Sequence, residues 1–315
     1  MIFSTIHLHK NLLIAIYGIF SLLIIASLVS ILLSRFNPKQ DFTELRQRIK
    51  TWWIIAGIFI FTLVLNKNLS LIFFSFVSFL ALKEYLSLIP TRRSDRRVLF
   101  WAYLAIPIQY YWIGISWYGM FIIFIPVYVF LFLPFRMFLS GETDGFLRSS
   151  GTLHWGLMIT VFCLSHAAYL LALNPAGNPN GGGAGLLLYL IFLTEMNDVS
   201  QYVWGKLFGK TKAISKISPN KTLEGFIGGL LTTTLLAVAL AKLLTPLSLI
   251  HSIMAGLLIA MSGFIGDIVI SALKRDLGVK DSGTALPGHG GILDRIDSLI
   301  YTAPLFFHYI AYLYY

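Results

Sequence analysis

Residues 257–272 read Leu257-Leu258-Ile259-Ala260-Met261-Ser262-Gly263-Phe264-Ile265-Gly266-Asp267-Ile268-Val269-Ile270-Ser271-Ala272. They close an apolar run over 248–272. At a rise of 1.5 Å per residue, about 20 helical residues cross the roughly 30 Å hydrocarbon layer of a bilayer. The run is long enough to span, yet it contains a carboxylate. An acid at such depth is costly. It faces a wet cavity, a cation or a functional site, unless it pairs with a base on a neighbouring helix. One stretch thus predicts both a membrane span and a polar site inside the membrane.

The rest of the chain agrees with the first expectation. Further apolar runs lie near 11–34, 52–66, 69–89, 98–117, 119–139, 153–173, 185–204, 223–245 and 298–315. The run at 52–66 is short and could be re-entrant, so the expectation is nine to ten transmembrane helices. Of 315 residues, 57% are hydrophobic and 12% charged, about half the charged share of a soluble domain. With a mean hydropathy of +0.77, that excludes a soluble enzyme, a disordered chain and a disulfide scaffold. Cys163 is the single cysteine. The first run lacks a short apolar core with a small-residue cleavage site, and reads as a retained span. The fold class expected is an all-α polytopic membrane protein of about ten helices with no separate soluble domain.

Charge orients the helices. The formal net charge is +10. Strict alternation places every Lys and Arg except Lys10, Lys67, Lys83 and Lys242 on one side, which is 20 of the 24. The other side receives the uncharged stretch 174–183, rich in Asn, Pro and Gly. Positive residues accumulate on the cytoplasmic side. The basic loops are therefore expected inside, and both termini outside. The excess of positive charge reflects topology and attraction to lipid or phosphate, with no nucleic acid implied.

Two regions differ in character. Residues 1–184 show a multispan pattern with few unusual features. Glu84 beside Lys83 reads as a snorkelling surface pair, and Arg92, Arg93, Arg96 and Arg97 read as topology determinants. Residues 185–315 hold acids inside apolar runs, namely Glu195, Asp198 and Asp267. A second stretch there runs Ser218-Pro219-Asn220-Lys221-Thr222-Leu223-Glu224-Gly225. Pro219 suits a first helical position with Ser218 as cap. Exposed N–H groups beside Lys221 and Thr222 would then suit a phosphate, the alternative being an ordinary cap before a span.

The densest stretch covers 267–297. Asp267, Ser271 and Lys274 share one helical face by their i, i+4, i+7 spacing, and Asp294 and Asp297 share another. Carboxylates converging with Lys and Arg describe a site for a divalent metal and a polyphosphate: acids hold the hard cation, bases the remaining phosphate oxygens. Other motifs fail. Gly205-Lys206-Leu207-Phe208-Gly209-Lys210-Thr211 ends like a P-loop, but Trp204 stands where the first glycine is required. His289 has no partners for a zinc site, and no serine elbow is present.

The pattern Ser271-x-Leu273-Lys274-Arg275-x4-Lys280-Asp281-x-Gly283-x2-Leu286-Pro287-x-His289-Gly290-Gly291-Ile292-x-Asp294-Arg295-Ile296-Asp297 resembles, without departure, the hallmark of phosphatidate cytidylyltransferases. The Ser218–Gly225 segment and the Asp198 region are also similar to that family, so the resemblance covers roughly the last 120 residues. It implies transfer of CMP from CTP to phosphatidate or a related lipid phosphate, yielding CDP-diacylglycerol and pyrophosphate. Mg2+ is the implied cofactor, with K+ as a candidate monovalent companion, and a homodimer is implied.

Carried over residue by residue, Asp267, Asp294 and Asp297 become metal ligands, with Asp198 an additional candidate. Lys221, Ser271, Lys274, Arg275, Asp294 and Asp297 become the catalytic set. Ser218, Lys221, Thr222, Lys274, Arg275, Lys280, His289 and Arg295 become substrate contacts. The bacterial inner membrane, with the site on its cytoplasmic side, is the location expected. Two alternatives stay open. Another membrane lipid-phosphate enzyme is one, although the Asp-x3-Asp motif of phosphatidyl transferases is missing. A phospholipid or ion transporter or binding protein is the other, although no inverted repeat is visible.

Overall fold

The computed structural model describes residues 9–36, 41–92, 95–139, 141–214, 217–283 and 290–315. Among these residues run ten long helices. They are α1 (Lys10–Phe36), α2 (Thr43–Leu65), α3 (Lys67–Leu88), α4 (Arg96–Gly114), α5 (Tyr118–Phe138), α6 (Phe146–Ala172), α7 (Gly182–Phe208), α8 (Leu223–Leu244), α9 (Leu249–Asp276) and α10 (Leu293–Tyr314). Each overlaps one expected apolar run. The segment at 52–66 is no re-entrant loop, because α2 begins nine residues earlier and continues unbroken.

By length and composition, seven of these helices are apolar enough to cross a membrane. The three that fall short, α4, α7 and α10, are the more polar ones: α7 carries Glu195, Asn197 and Asp198, and α10 carries Asp294, Arg295 and Asp297. On α1, Ile24, Ile25, Leu28, Val29, Ile31 and Leu32 are all exposed, as expected of a surface solvated by acyl chains. The chain is a multi-pass, all-α membrane protein, and among the described residues no separate soluble unit stands apart from the bundle.

Helices in lipid gain little from hydrophobic association and rely on close packing and hydrogen bonds. The sequence supplies both in α7–α10, which pack extensively on one another. A Cβ at Gly266 of α9 would stand 2.5 Å from the Asp297 carbonyl of α10, and one at Gly225 of α8 would stand 2.7 Å from the Gln201 carbonyl of α7. Only glycine permits those crossings. A buried polar seam then ties the four helices. Thr233 donates to Asn197 Oδ1 at 3.2 Å, Asn197 Nδ2 to the Ala260 carbonyl at 3.3 Å, and Ser298 to the Gly263 carbonyl at 3.2 Å. Thr194 and Thr302 pair at 3.0 Å. Such bonds average about 0.6 kcal/mol each in membranes, so the seam contributes register more than stability.

The N-terminal half packs around Tyr85, whose hydroxyl donates to the Thr152 carbonyl at 2.8 Å. In α5, Pro126 falls within a π-helical segment, Phe124–Val129, where a missing N–H is readily absorbed.

Contacts between loops group them at two ends. At one end Arg92 Nη1 donates to the Asp144 carbonyl at 2.5 Å, Ser149 to Asp95 at 2.5 Å, and Arg275 Nε to the Ile217 carbonyl at 3.3 Å. At the other, Asn180 Nδ2 reaches the Thr245 carbonyl at 3.0 Å and Tyr314 meets His251 at 2.7 Å. The basic loops thus gather together, opposite the uncharged 174–183 stretch.

Candidate active site

A short antiparallel hairpin, β1 (Lys212–Ile214) and β2 (Ser218–Thr222), joins α7 to α8. It corrects one expectation. Ser218 and Pro219 do not start a helix; they lie in β2, where Ser218 pairs with Ile214 and the Pro219 carbonyl accepts from Lys212 Nζ at 2.7 Å. The cap is Thr222, which accepts from Gly225 N at 3.1 Å. Strand pairing holds the chain extended for three residues beyond the proline, and Thr222 is itself a favourable capping residue. Glu224 then accepts the amides of Lys210 and Thr211, both at 3.1 Å, and closes the base of the hairpin.

Beside this hairpin lies a cavity of about 450 Å³, lined by Asp198, Gln201, Lys206, Asn220, Lys221, Thr222, Phe226, Phe264 and Asp267 among others. Lys221 is its central cation. Its Nζ stands 2.6 Å from Asp267 Oδ2, 3.3 Å from Gln201 Oε1 and 4.7 Å from the Phe264 ring centre. Ser271 donates to the other oxygen of Asp267 at 3.1 Å, fixing the carboxylate from one turn away. Asp198, Asp267 and Asp297 come from α7, α9 and α10; Asp297 feels the charges of Asp267 and Asp198, and Asp198 those of Glu195 and Asp267. Asp198 Oδ1 and Gln201 Nε2 are buried without a partner.

By donor chemistry these side chains would suit a hard divalent cation, since oxygen is the ligand that Mg2+ prefers and Asp198 keeps an unclaimed buried oxygen. As placed here, no three acidic, His or Cys side chains among the described residues stand close enough together to hold one. The cation bonded to Asp267 in this structure is Lys221.

Asp294 has different company. Its Oδ1 accepts from Lys274 Nζ at 2.6 Å, and its Oδ2 from the amides of Ser282 and Gly291, both at 2.9 Å. Both oxygens are engaged by the chain itself. Lys274, one face-turn beyond Ser271, is thereby drawn away from Asp267. Arg275 is exposed and bonds the backbone of Ile217 and Val279. Lys280 is exposed, and His289 lies outside the described residues. Arg295 attracts both Glu195 and Asp297, and its buried Nε has no partner.

The sequence reading missed Glu84. It forms no simple surface pair with Lys83. Instead it accepts the amides of Ile292 at 2.8 Å and Leu293 at 3.0 Å, together with the Ser282 hydroxyl. A free acid at the basic-loop end of α3 was the visible signal. Its partners, some 200 residues away, were not.

Nearer the start of α7 lies an apolar groove of about 250 Å³. It is walled by Ile19, Leu22 and Ala26 of α1, Trp52, Ala56 and Phe59 of α2, and Leu188, Phe192 and Val199 of α7. Glu195 is its one acidic residue, and Glu195 interacts with Arg295 and Asp297. The groove and the ionic cavity therefore meet around Glu195 and Asp198.

The fold and this cavity define an ionic site among apolar helices, and comparison with known proteins names the family. The chain belongs to the cytidylyltransferase family, whose profile matches residues 46–313. It is 48% identical over 93% of its length to 96% of the Escherichia coli K12 protein named "Uncharacterized protein YnbB". It is also 32% identical, over 82% of its length, to 96% of the phosphatidate cytidylyltransferase of Staphylococcus saprophyticus, and 31% identical, with the same coverage, to that of Staphylococcus aureus strain COL.

Proposed function

We propose that the protein transfers CMP from CTP to phosphatidate or a close relative, giving a CDP-lipid and pyrophosphate at the cytoplasmic face of a bacterial inner membrane. One observation carries the reading: α7 lines both an ionic cavity, with residues 198–206, and an adjoining apolar groove, with residues 188–199. A reaction between a soluble nucleotide and a bilayer lipid needs that juxtaposition.

A phosphate monoester is already anionic, so its oxygen can attack the α-phosphorus of CTP without a strong general base. The new P–O bond forms as the bond from the α-phosphorus to the β-bridging oxygen breaks, and the electron pair leaves with pyrophosphate. The protein must align two anions and absorb their charge. In this reading Lys221 exchanges Asp267 for the nucleotide's phosphates, with Thr222 and Ser218 beside it on the hairpin. Arg295, near enough to Glu195 of the groove to attract it, takes the lipid phosphate, and acyl chains follow the groove past Phe192 and Met196. Lys274, Arg275 and Lys280 complete the basic surround. Asp198, Asp267 and Asp297 would hold magnesium, with Ser271 orienting Asp267 and a monovalent ion as companion. When bound, the metal would neutralise phosphate charge as a Lewis acid. Asp294, its oxygens taken, serves to place Lys274 and the loop before α10.

The test is product analysis with labelled CTP and purified protein against a panel of lipid phosphates. Pyrophosphate should form only when a lipid phosphate is present, and the panel identifies which. Lipid-independent CTP cleavage would refute the reading.

A further inference from the structure

We propose that Glu84 of α3 is a positioning residue for this reaction, holding the start of α10 so that Asp297 and Lys274 keep their places. The inference rests on the reading above for the reaction, but its geometry is independent of it. The first amides of a helix have no intrahelical acceptor. At the cap and first residue of α10 Glu84 supplies the acceptor, and Asp294 takes the amide just before them. Asp294 takes Gly291 N at 2.9 Å, and Glu84 takes Ile292 N at 2.8 Å and Leu293 N at 3.0 Å. The same two acids also share Ser282: Asp294 accepts its amide at 2.9 Å, and Glu84 its hydroxyl.

The sequence leaves space for Glu84. A Cβ at Gly291 would overlap Glu84 Oε1, and one at Gly283 would stand 3.0 Å from Oε2. Two glycines of the 271–297 pattern therefore sit where this carboxylate nests. Negative charge at a helix N-terminus is also favourable. Glu84 is no part of the ionic cavity's wall, so it acts through others. Moving the start of α10 would shift Asp297, one turn along, against Asp267, and would loosen Asp294 from Lys274.

Glu84→Gln places an amide N–H2 against backbone donors at almost unchanged volume. It should lower kcat about tenfold, the effect of losing one charge-assisted hydrogen bond of about 1.4 kcal/mol, with KM for CTP within about twofold. Glu84→Asp, which keeps the charge, should recover part of the loss. Amide exchange at residues 282, 283 and 290–293 should quicken while that of α1 stays unchanged. The loss should be non-additive with Asp294→Asn, because both variants release one loop. If Glu84→Gln keeps wild-type kcat, or if its defect multiplies independently with that of Asp294→Asn, the positioning role is wrong. Should Glu84→Gln fail to accumulate, Glu84→Asp carries the same comparisons. If the wild type transfers no cytidylyl group, the reaction reading fails, and unchanged exchange in Glu84→Gln would then overturn the brace as well.

Discussion

Lys221 Nζ and Asp267 Oδ2 lie 2.6 Å apart, joining the hairpin before α8 to the centre of α9. This contact makes Lys221 a member of the site instead of an interfacial topology residue. It also makes the lysine exchangeable, because a cation paired with a carboxylate can move to a phosphate when nucleotide arrives. Lys221→Gln should weaken CTP use by about 1.5–3 kcal/mol, the scale of a hydrogen bond to a charged group. Part of that loss should appear in kcat, since charge moves onto pyrophosphate as the bond breaks. Lys221→Arg keeps charge with different donor geometry and should recover in part. Wild-type kcat/KM in Lys221→Gln would remove this lysine from the site.

The three mutually repelling carboxylates should behave alike. Asp198→Asn, Asp267→Asn and Asp297→Asn each remove one anionic oxygen at nearly constant volume. Each should cost at least a hundredfold in rate, about 2.7 kcal/mol of transition-state stabilisation, most severely at limiting magnesium. Steady-state rates across a magnesium titration measure this. A variant whose magnesium dependence matches the wild type does not hold the metal.

Asp294 should show another signature, one of stability. Asp294→Asn strands the buried charge of Lys274, and breaking a buried pair costs about 3–5 kcal/mol. Removing both charges in Lys274→Met/Asp294→Asn should restore much of the melting temperature in detergent, though no activity. A double variant less stable than Asp294→Asn would show that the pair is not what holds this corner.

The groove between α1, α2 and α7 has its own consequence. Ala26→Trp and Ala56→Trp each place a ring in a space of about 250 Å³. The KM for a long-chain lipid phosphate should rise roughly tenfold, equivalent to 1.4 kcal/mol, while that for CTP stays constant. A short-chain substrate should be spared. Equal effects on both chain lengths would place the acyl chains elsewhere.

Topology can be read by cysteine labelling in a Cys163→Ser background. Thr211→Cys and Lys280→Cys, at exposed positions on the site's end, should react from the cytoplasm, and Ala176→Cys from the opposite side. Reaction of positions 211 and 280 from different sides would break the shared site.

Most helices were legible because an apolar run of 20 residues has few other fates. The acids at 195, 198 and 267 announced themselves by being too costly for lipid, and Asp297 by its spacing from Asp294 in the 271–297 pattern. What could not be read depends on contacts between distant residues. Whether Ser218 or Thr222 caps α8 is decided by pairing with Lys212 and Ile214, and β-strands this short have no periodicity to detect. Spacing placed Asp294 and Asp297 on one face. It could not show that Asp294 gives both oxygens to Lys274 and to two amides, while Asp297 turns to Asp198 and Asp267. Glu84 looked like any charged residue at a helix end, since its partners come from the other end of the chain.

The central claim is that one cavity brings CTP phosphates to a lipid phosphate held in the bilayer. The most direct measurement supplies CTP labelled at either the α- or the γ-phosphate, together with phosphatidate and magnesium. The account predicts α-label in the organic-extractable lipid, in one-to-one ratio with pyrophosphate that carries all the γ-label. Label that never enters lipid with any lipid phosphate, or α-label released as free CMP regardless of lipid, would contradict it.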